Sequence, residues 1–191
     1  LNYFVKDFAI NSNSIISQHF YGVNENILEC QNCKMNQNLP CTKFNYENYF
    51  FLIFPLEEVR KNKMNLFMNY NLQEVNLYDC FDYYQKTNNI FGYCNKCGQN
   101  NIQLMTQTSI FSLPQTLVIL LNRGKGSEFT VKIYFEEYLD LRNKIKNADM
   151  EKKYRLCSVI KHLGDNSATG HFIAYCRSPV PGINNQWHCY N

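Results

Sequence analysis

Gly170-His171-Phe172-Ile173-Ala174-Tyr175 and, after a turn, Trp187-His188-Cys189-Tyr190-Asn191 decide how this chain is read. The first segment is a glycine followed by a histidine that opens an alternating stretch. Side chains of a strand alternate between faces, so His171, Ile173 and Tyr175 take one side and Phe172, Ala174 and Cys176 the other. Between the segments, Ser178-Pro179-Val180-Pro181-Gly182-Ile183-Asn184-Asn185 carries a Pro-Gly turn signal. An antiparallel hairpin is therefore expected, with Trp187, Cys189 and Asn191 sharing one side of its second strand. Such a hairpin can bring a carboxamide to an imidazole. The amide oxygen then fixes the ring's tautomer and leaves the other nitrogen free to take a proton from a thiol. Taken alone, a strand histidine is also an ordinary core or surface residue, and that plainer reading stays open at this point. His19 and His188 have no better local claim. His162, in Ile160-Lys161-His162-Leu163-Gly164, ends the preceding strand and is a candidate supporting group, with Gly170, for the same site.

Working outward, strand signals dominate. Tyr46 to Leu56, Thr108 to Leu121, Tyr154 to Ile160 and His171 to Cys176 are rich in β-branched and aromatic residues. Leu72, Val75, Leu77, Cys80, Phe81 and Tyr84 recur mostly at three and four, so Leu72 to Tyr84 is predicted to be a short amphipathic helix. The stretch Phe4 to Ile16 is ambiguous. Arg60 to Asn65 and Arg142 to Lys153 are polar interruptions of the β pattern, the second predicted to be a solvated loop at a sheet edge.

The nine cysteines include two CxxC pairs, Cys30-Gln31-Asn32-Cys33 and Cys94-Asn95-Lys96-Cys97. Two residues between cysteines let both sulfurs face one ion from a tight turn, and two such turns complete a tetrahedral four-thiolate shell. This spacing points to structural zinc on Cys30, Cys33, Cys94 and Cys97. Buried free thiols are the plain alternative. A redox pair fits worse, because that chemistry needs one CxxC at a helix start. A closed four-ligand shell leaves no position for substrate. Cys41, Cys80, Cys157, Cys176 and Cys189 are scattered and are expected to act as small buried hydrophobes.

Composition narrows the function classes. The 191 residues carry 19 basic and 16 acidic side chains, a net charge of +3, which argues against a nucleic-acid binder that neutralises many phosphates. With 45% hydrophobic and 18% charged residues the chain is too apolar for disorder. The longest apolar runs, Tyr49 to Phe54 and Leu117 to Leu121, fall far short of the roughly 20 residues that span a bilayer. No secretory signal is visible at the start, so a cytoplasmic or nuclear location is expected. The chain opens at Leu1 and not at Met, which suggests a piece of a longer polypeptide.

The ordered motifs resemble those of the ubiquitin-specific protease class of deubiquitinating enzymes. Phe20-Tyr21-Gly22 followed by Cys30-x-x-Cys33 looks like the start of that family's fingers, and Cys94-x-x-Cys97 looks like its second zinc knuckle. Leu113-Pro114-x-x-Leu117-x-Ile119-x-Leu121-Asn122-Arg123 is similar to its palm strand. Lys132-x-x-Phe135 and Leu139-Asp140-Leu141 resemble its next stretch, with Glu136 where a proline is usual. Tyr154-x-Leu156-x-x-Val159-Ile160-x-His162-x-Gly164 and Gly170-His171-Phe172-x-Ala174-Tyr175 resemble its histidine box, and Trp187-x-x-Tyr190-Asn191 its final box.

The resemblance implies an α+β fold: a papain-like cysteine-protease palm of antiparallel strands with zinc-ribbon fingers, the thumb largely absent. It divides the chain into a thumb or linker remnant over 1–19, fingers over 20–109 and a palm over 110–191. It makes His171 the general base and Asn191 its orienter, in hydrolysis of the bond after the C-terminal glycine of ubiquitin. Ubiquitin and ubiquitin conjugates are the implied partners, with no nucleic acid and no membrane. The family's Gly-Asn-Thr-Cys-type nucleophile box has no counterpart here, so the nucleophile is expected from polypeptide outside this sequence, and this chain alone is expected to be inactive. A non-catalytic, zinc-stabilised ubiquitin-binding or scaffold module is the other reading. A zinc-stabilised nucleic-acid or protein-interaction domain is disfavoured by the near-neutral charge.

Overall fold

The computed structural model describes residues 14–35, 41–68, 72–124, 131–145, 153–164, 169–178 and 186–191. Its longest element is β6 (Gln99–Ser112), 14 residues without proline or glycine. Around it lie β1 (Gly22–Cys30), β2 (Thr42–Tyr49) and β5 (Asn88–Cys94), in the order β2-β1-β6-β5 with every neighbour antiparallel. At one end of this sheet Ile102 and Leu104 pack on Cys30, Cys33, Cys41 and Cys94. Toward the other end Ile110 is sealed in the main core. One strand thus joins two apolar clusters.

Gly22 faces Tyr49 across the β1–β2 ladder, and a Cβ there would stand 2.3 Å from the tyrosine ring. Glycine therefore lets the ring lie across the strand, and the Tyr49 hydroxyl donates to the Ser112 carbonyl at 3.1 Å.

The main core is built by the middle of the chain. Two short helices, α1 (Ile15–Phe20) and α2 (Gln31–Met35), precede it. β3 (Leu52–Pro55) runs into α3 (Leu56–Phe67), and β4 (Glu74–Asn76) into α4 (Leu77–Tyr84). β7 (Ile119–Asn122) pairs parallel with β3, and β8 (Lys132–Tyr134) parallel with β4. Phe54, Leu56, Cys80 and Phe81 are fully buried, and the rings of Phe54 and Phe81 meet edge to face at 5.1 Å. The buried side chains between Leu52 and Phe81 therefore pack with Leu113, Val131 and Leu141, not with the cysteine cluster. Charged side chains tie this layer together. Glu57 accepts two hydrogen bonds from Arg60, at 2.6 and 2.8 Å, while Arg60 also donates to the Leu72 carbonyl at 3.1 Å. Lys63 bridges α3 to Asp79 of α4 at 2.7 Å.

The last third is antiparallel. β9 (Tyr138–Asp140) pairs with β10 (Lys153–Arg155). β11 (Ser158–Leu163), β12 (His171–Arg177) and β13 (Trp187–Tyr190) make a three-stranded sheet in that order. The whole is a mixed α and β fold dominated by antiparallel sheets. Among the described residues no helix is long and apolar enough to cross a membrane.

The sequence reading needs correction at several elements. Tyr46 to Leu56 is not one strand: it breaks between Tyr49 and Leu52, and Leu56 already opens a helix. Arg60 to Asn65, read as a polar interruption, lies inside that helix. Only Leu56, Glu57 and Val59 of α3 are buried, so its apolar stripe is too short to register as periodicity, although Glu57 and Glu58 sit in its first turn where a helix dipole favours them. The helix predicted from Leu72 starts at Leu77, because Asn76 and Asp79 form a reciprocal capping box that stops it extending backward. Thr108 to Leu121 likewise splits at Leu113-Pro114, where proline ends the ladder. Positions 4–13 of the ambiguous first stretch, the 146–152 half of the polar loop and the Pro-Gly turn lie outside the described residues.

Two stability outcomes follow. Phe54→Ala removes a buried ring and should cost about 3–5 kcal/mol, read by urea unfolding. The Arg60 hydrogen bonds hold the Glu57 carboxyl below its ordinary 4.5. A lowered folded-state value contributes stability that is present above 4.5 and fades as pH falls through the folded value. Glu57→Gln should therefore flatten the acid limb of the stability–pH curve, and an unchanged limb would remove this pair as its source.

Candidate functional site

Two clusters bring together residues singled out in the sequence. The first is the sulfur cluster. Cys30 ends β1, Cys33 lies in α2, Cys94 ends β5, and Cys97 sits in the turn before β6. Gly98 closes that turn with φ +67°, its N–H donating to the Cys94 carbonyl at 2.9 Å. This left-handed residue is what a chain reversing after a CxxC requires, and glycine adopts it without strain. The four sulfurs all lie within 4.8 Å of one another, with Cys30–Cys97 at 4.0 Å and Cys33–Cys94 at 3.8 Å. A tetrahedral zinc with bonds of about 2.3 Å needs sulfur–sulfur edges of roughly 3.8 Å, so the donor set fits that ion.

The surroundings treat the sulfurs unequally. The Cys94 thiol is pulled down to about 6, first by the backbone N–H of Cys97, with the N–H of Lys96 helping against the cost of burial. Burial pushes Cys33 and Cys97 the other way. A fifth sulfur, Cys41, lies 3.5 Å from Cys94 and is buried. Sequence reading made it only a buried hydrophobe, and nothing in its spacing marks its place beside the knuckles.

The second site is the hairpin of β12 and β13. The ladder pairs Tyr175 with Cys189 and Ala174 with Tyr190. One further step sets Asn191 level with Ile173, on the face that also carries His171. The two side chains meet there: His171 Nε2 is hydrogen-bonded to Asn191 Oδ1. A carboxamide oxygen can only accept, so Nε2 carries the proton and, in the neutral ring, Nδ1 keeps its lone pair. Both residues are exposed. Among the described residues no cysteine sulfur is hydrogen-bonded to His171.

His162 is placed differently. It pairs in register with Phe172, and the two rings lie 4.6 Å apart. Cross-strand partners share a face, so His162 lies on the side opposite His171. Gly170 has φ +147°, and a Cβ there would stand 2.3 Å from His162 Nε2 and 2.5 Å from the Leu163 carbonyl oxygen. Only glycine can bring the chain into β12 beneath that ring. Of the five cysteines expected to be buried, Cys41 and Cys80 are, but Cys157 and Cys189 are exposed and Cys176 is half-buried, 3.3 Å from the Ser158 hydroxyl. For Cys189 the cause is plain: β13 is an edge strand exposed at all four positions, so a small apolar residue there has nothing to pack under.

The model of the ubiquitin carboxyl-terminal hydrolase family matches residues 5–191. The chain belongs to that family. It is 25% identical over 186 residues to ubiquitin carboxyl-terminal hydrolase 25 of Arabidopsis thaliana, covering 95% of this chain and 25% of that protein. It is 29% identical over 106 residues to ubiquitin carboxyl-terminal hydrolase 10 of Saccharomyces cerevisiae, covering 52% of this chain and 13% of that protein. The chain thus spans a quarter or less of these hydrolases. Its fold is shared with the yeast SAGA DUB module at a TM-score of 0.69 and 22% identity, over all of this chain and 39% of that one. A second structure of the SAGA DUB module, bound to monoubiquitin, gives a TM-score of 0.68.

Elemental analysis of protein prepared without chelator should find about one zinc per chain, and Cys94→Ser should abolish it. Chelation should lower the thermal midpoint while the Phe54–Phe81 core keeps its near-ultraviolet signal. Metal-free protein as stable as the untreated one would remove zinc from the cluster.

Proposed function

We propose that this chain is the palm-and-fingers part of a thiol-dependent deubiquitinase, cleaving the peptide or isopeptide bond after the C-terminal glycine of ubiquitin. One observation carries the reading: an imidazole and a carboxamide, 20 residues apart in sequence, meet on one sheet face through Nε2, with no other hydrogen bond to the ring among the described residues. In this family that arrangement serves a nucleophilic cysteine, which the proposal takes from polypeptide outside the 191 residues. His171 Nδ1 would accept the Sγ proton as sulfur attacks the glycine carbonyl. The imidazolium would then return that proton to the leaving amine. Asn191 holds the ring through Nε2–H and stays uncharged throughout. Gly170, shaped around His162, sets where β12 begins and thus where His171 stands.

The thiols of Cys30, Cys33, Cys94 and Cys97 would hold one structural zinc, which stiffens the far end of the four-stranded sheet and takes no part in the reaction. A structural site of this kind supplies on the order of ten kcal/mol to a small module. The proposal divides the chain as fingers over 20–109 and palm over 110–191. Ubiquitin and its conjugates are the partners. A set of reduced, metal-binding thiols goes with a cytoplasmic or nuclear location.

The test uses the full-length protein. His171→Ala should reduce turnover of a ubiquitin C-terminal fluorogenic substrate by about 10²-fold or more, the usual range for a lost general base, with ubiquitin binding kept. Turnover at the wild-type rate would take His171 out of the mechanism. A full-length protein with no cysteine able to reach His171 would favour a non-catalytic, ubiquitin-binding module.

A further inference from the structure

β13 has an unusual problem. Among the described residues it is a strand of four residues, paired with β12 alone and exposed at every position. Register in a sheet is ordinarily enforced by burying one face, and this strand buries neither. A slip of two residues would preserve the alternation but carry Asn191 about 7 Å along the sheet, out of reach of His171. Within the described residues, the contacts that hold the strand are therefore those it makes with β12 and its neighbours.

The opposite end of the same hairpin supplies them. Arg177 ends β12 and pairs directly with Trp187, the first residue of β13. By the strand period Arg177 shares a face with His171, and Trp187 with Asn191. The Arg177 guanidinium lies 5.0 Å from the Trp187 ring centroid. It also reaches Glu137 at 2.8 Å and donates to the Leu156 carbonyl at 3.3 Å. Its side chain is only 9% exposed, and the same Glu137 oxygen, Oε1, also accepts from Arg155 Nε at 2.9 Å. Two main-chain bonds close the same corner, Arg177 N–H to the Cys157 carbonyl and Ser178 N–H to the Gln186 carbonyl, both at 2.9 Å. A guanidinium lying over the indole and bonded at its edge restricts the indole's position more than a flexible ammonium would.

We propose that the Glu137–Arg177–Trp187 stack sets the register of β13 and so holds Asn191 to His171, making Arg177 a positioning residue for the general base. The stack belongs to the end of the hairpin remote from the imidazole and touches no reacting atom. The kinetic part of this inference rests on the proposed role of His171, whereas the structural part does not.

The experiment has two arms in the full-length protein. In the first, ¹⁵N-labelled histidine is read by NMR, with His171 assigned by the signal lost in His171→Ala. The wild type should show the Nε2–H tautomer, and Arg177→Met should move the ring toward a mixture of tautomers. Glu137→Gln, at a side chain 43% exposed and so safe for folding, should do the same to a smaller degree. In the second arm, Arg177→Met should lower kcat on the ubiquitin fluorogenic substrate on the order of a hundredfold with KM unchanged, the cost of a misplaced catalytic group. Adding it to Asn191→Ala should cost nothing further. An unchanged tautomer in both variants, or losses that multiply in the double variant, would overturn the clamp. If His171→Ala keeps turnover while the tautomer still responds to Arg177→Met, the general-base reading falls and the clamp stands.

Discussion

Antiparallel register is the constraint on which this molecule turns. A ladder of main-chain hydrogen bonds fixes which residues stand opposite one another, and the period of two then fixes which side chains share a face. In β11-β12-β13 that rule separates His171 from His162 and joins His171 to Asn191. In β2-β1-β6-β5 it carries the ends of β1 and β5 to the same end of the sheet, where their cysteines converge. At the sulfur cluster two ladder ends, Cys30 and Cys94, are joined by Cys33 of α2 and Cys97 of the turn before β6. The His171–Asn191 pair is the terminus of a ladder, and its precision is that of the ladder.

The energetic support comes from elsewhere. Phe54, Leu56, Phe81, Ile110 and Leu141 are fully buried together, drawn from strands and helices on both sides of β6 in the sequence. Ile102 and Leu104 of the same strand belong to the sulfur cluster instead. A rigid 14-residue strand spanning both clusters means that order at one end limits motion at the other. The four-stranded sheet has little else to rely on: β2 is exposed from Thr42 to Asn48 and most of β5 is open. The tightest cluster at that end is the four sulfurs, all within 4.8 Å of one another.

Much of this was legible in the sequence, for reasons that differ by element. The strand at His171 and its partner at Trp187 showed themselves because alternation is short-range and survives on exposed strands. The cysteine set was legible because CxxC spacing is dictated by the ion and not by the fold. The α3 helix was not, since three buried positions in twelve leave no stripe to detect and its charged residues bond to one another. The start of α4 was legible only to a reader who treated Asn76 and Asp79 as a cap. Parallel pairing of β3 with β7 and of β4 with β8 had no local signal at all, because the partners are brought together by the core between them. Cys41 is buried as its type predicts, but its place beside Cys94 had no local signal, because β1, β2 and β5 meet there only through the sheet.

That pattern bears on how the two sites relate. The sulfur cluster and the His171–Asn191 pair share no strand, and their sheets are separate in hydrogen bonding. What connects them is the main core, where Ile110 of β6 packs in the same cluster as Leu139 and Tyr154 of the β9–β10 pair. The Tyr154 hydroxyl donates to the Pro114 carbonyl at 2.5 Å, and two residues past Tyr154 the Leu156 carbonyl receives Arg177. Stiffness supplied at the sulfur end therefore reaches the hairpin only through packed side chains, whose coupling is diffuse. Glu137 and Arg155 hold the guanidinium locally. The imidazole is held by Asn191 within its own sheet, separate in hydrogen bonding from the sheet that carries the cysteines.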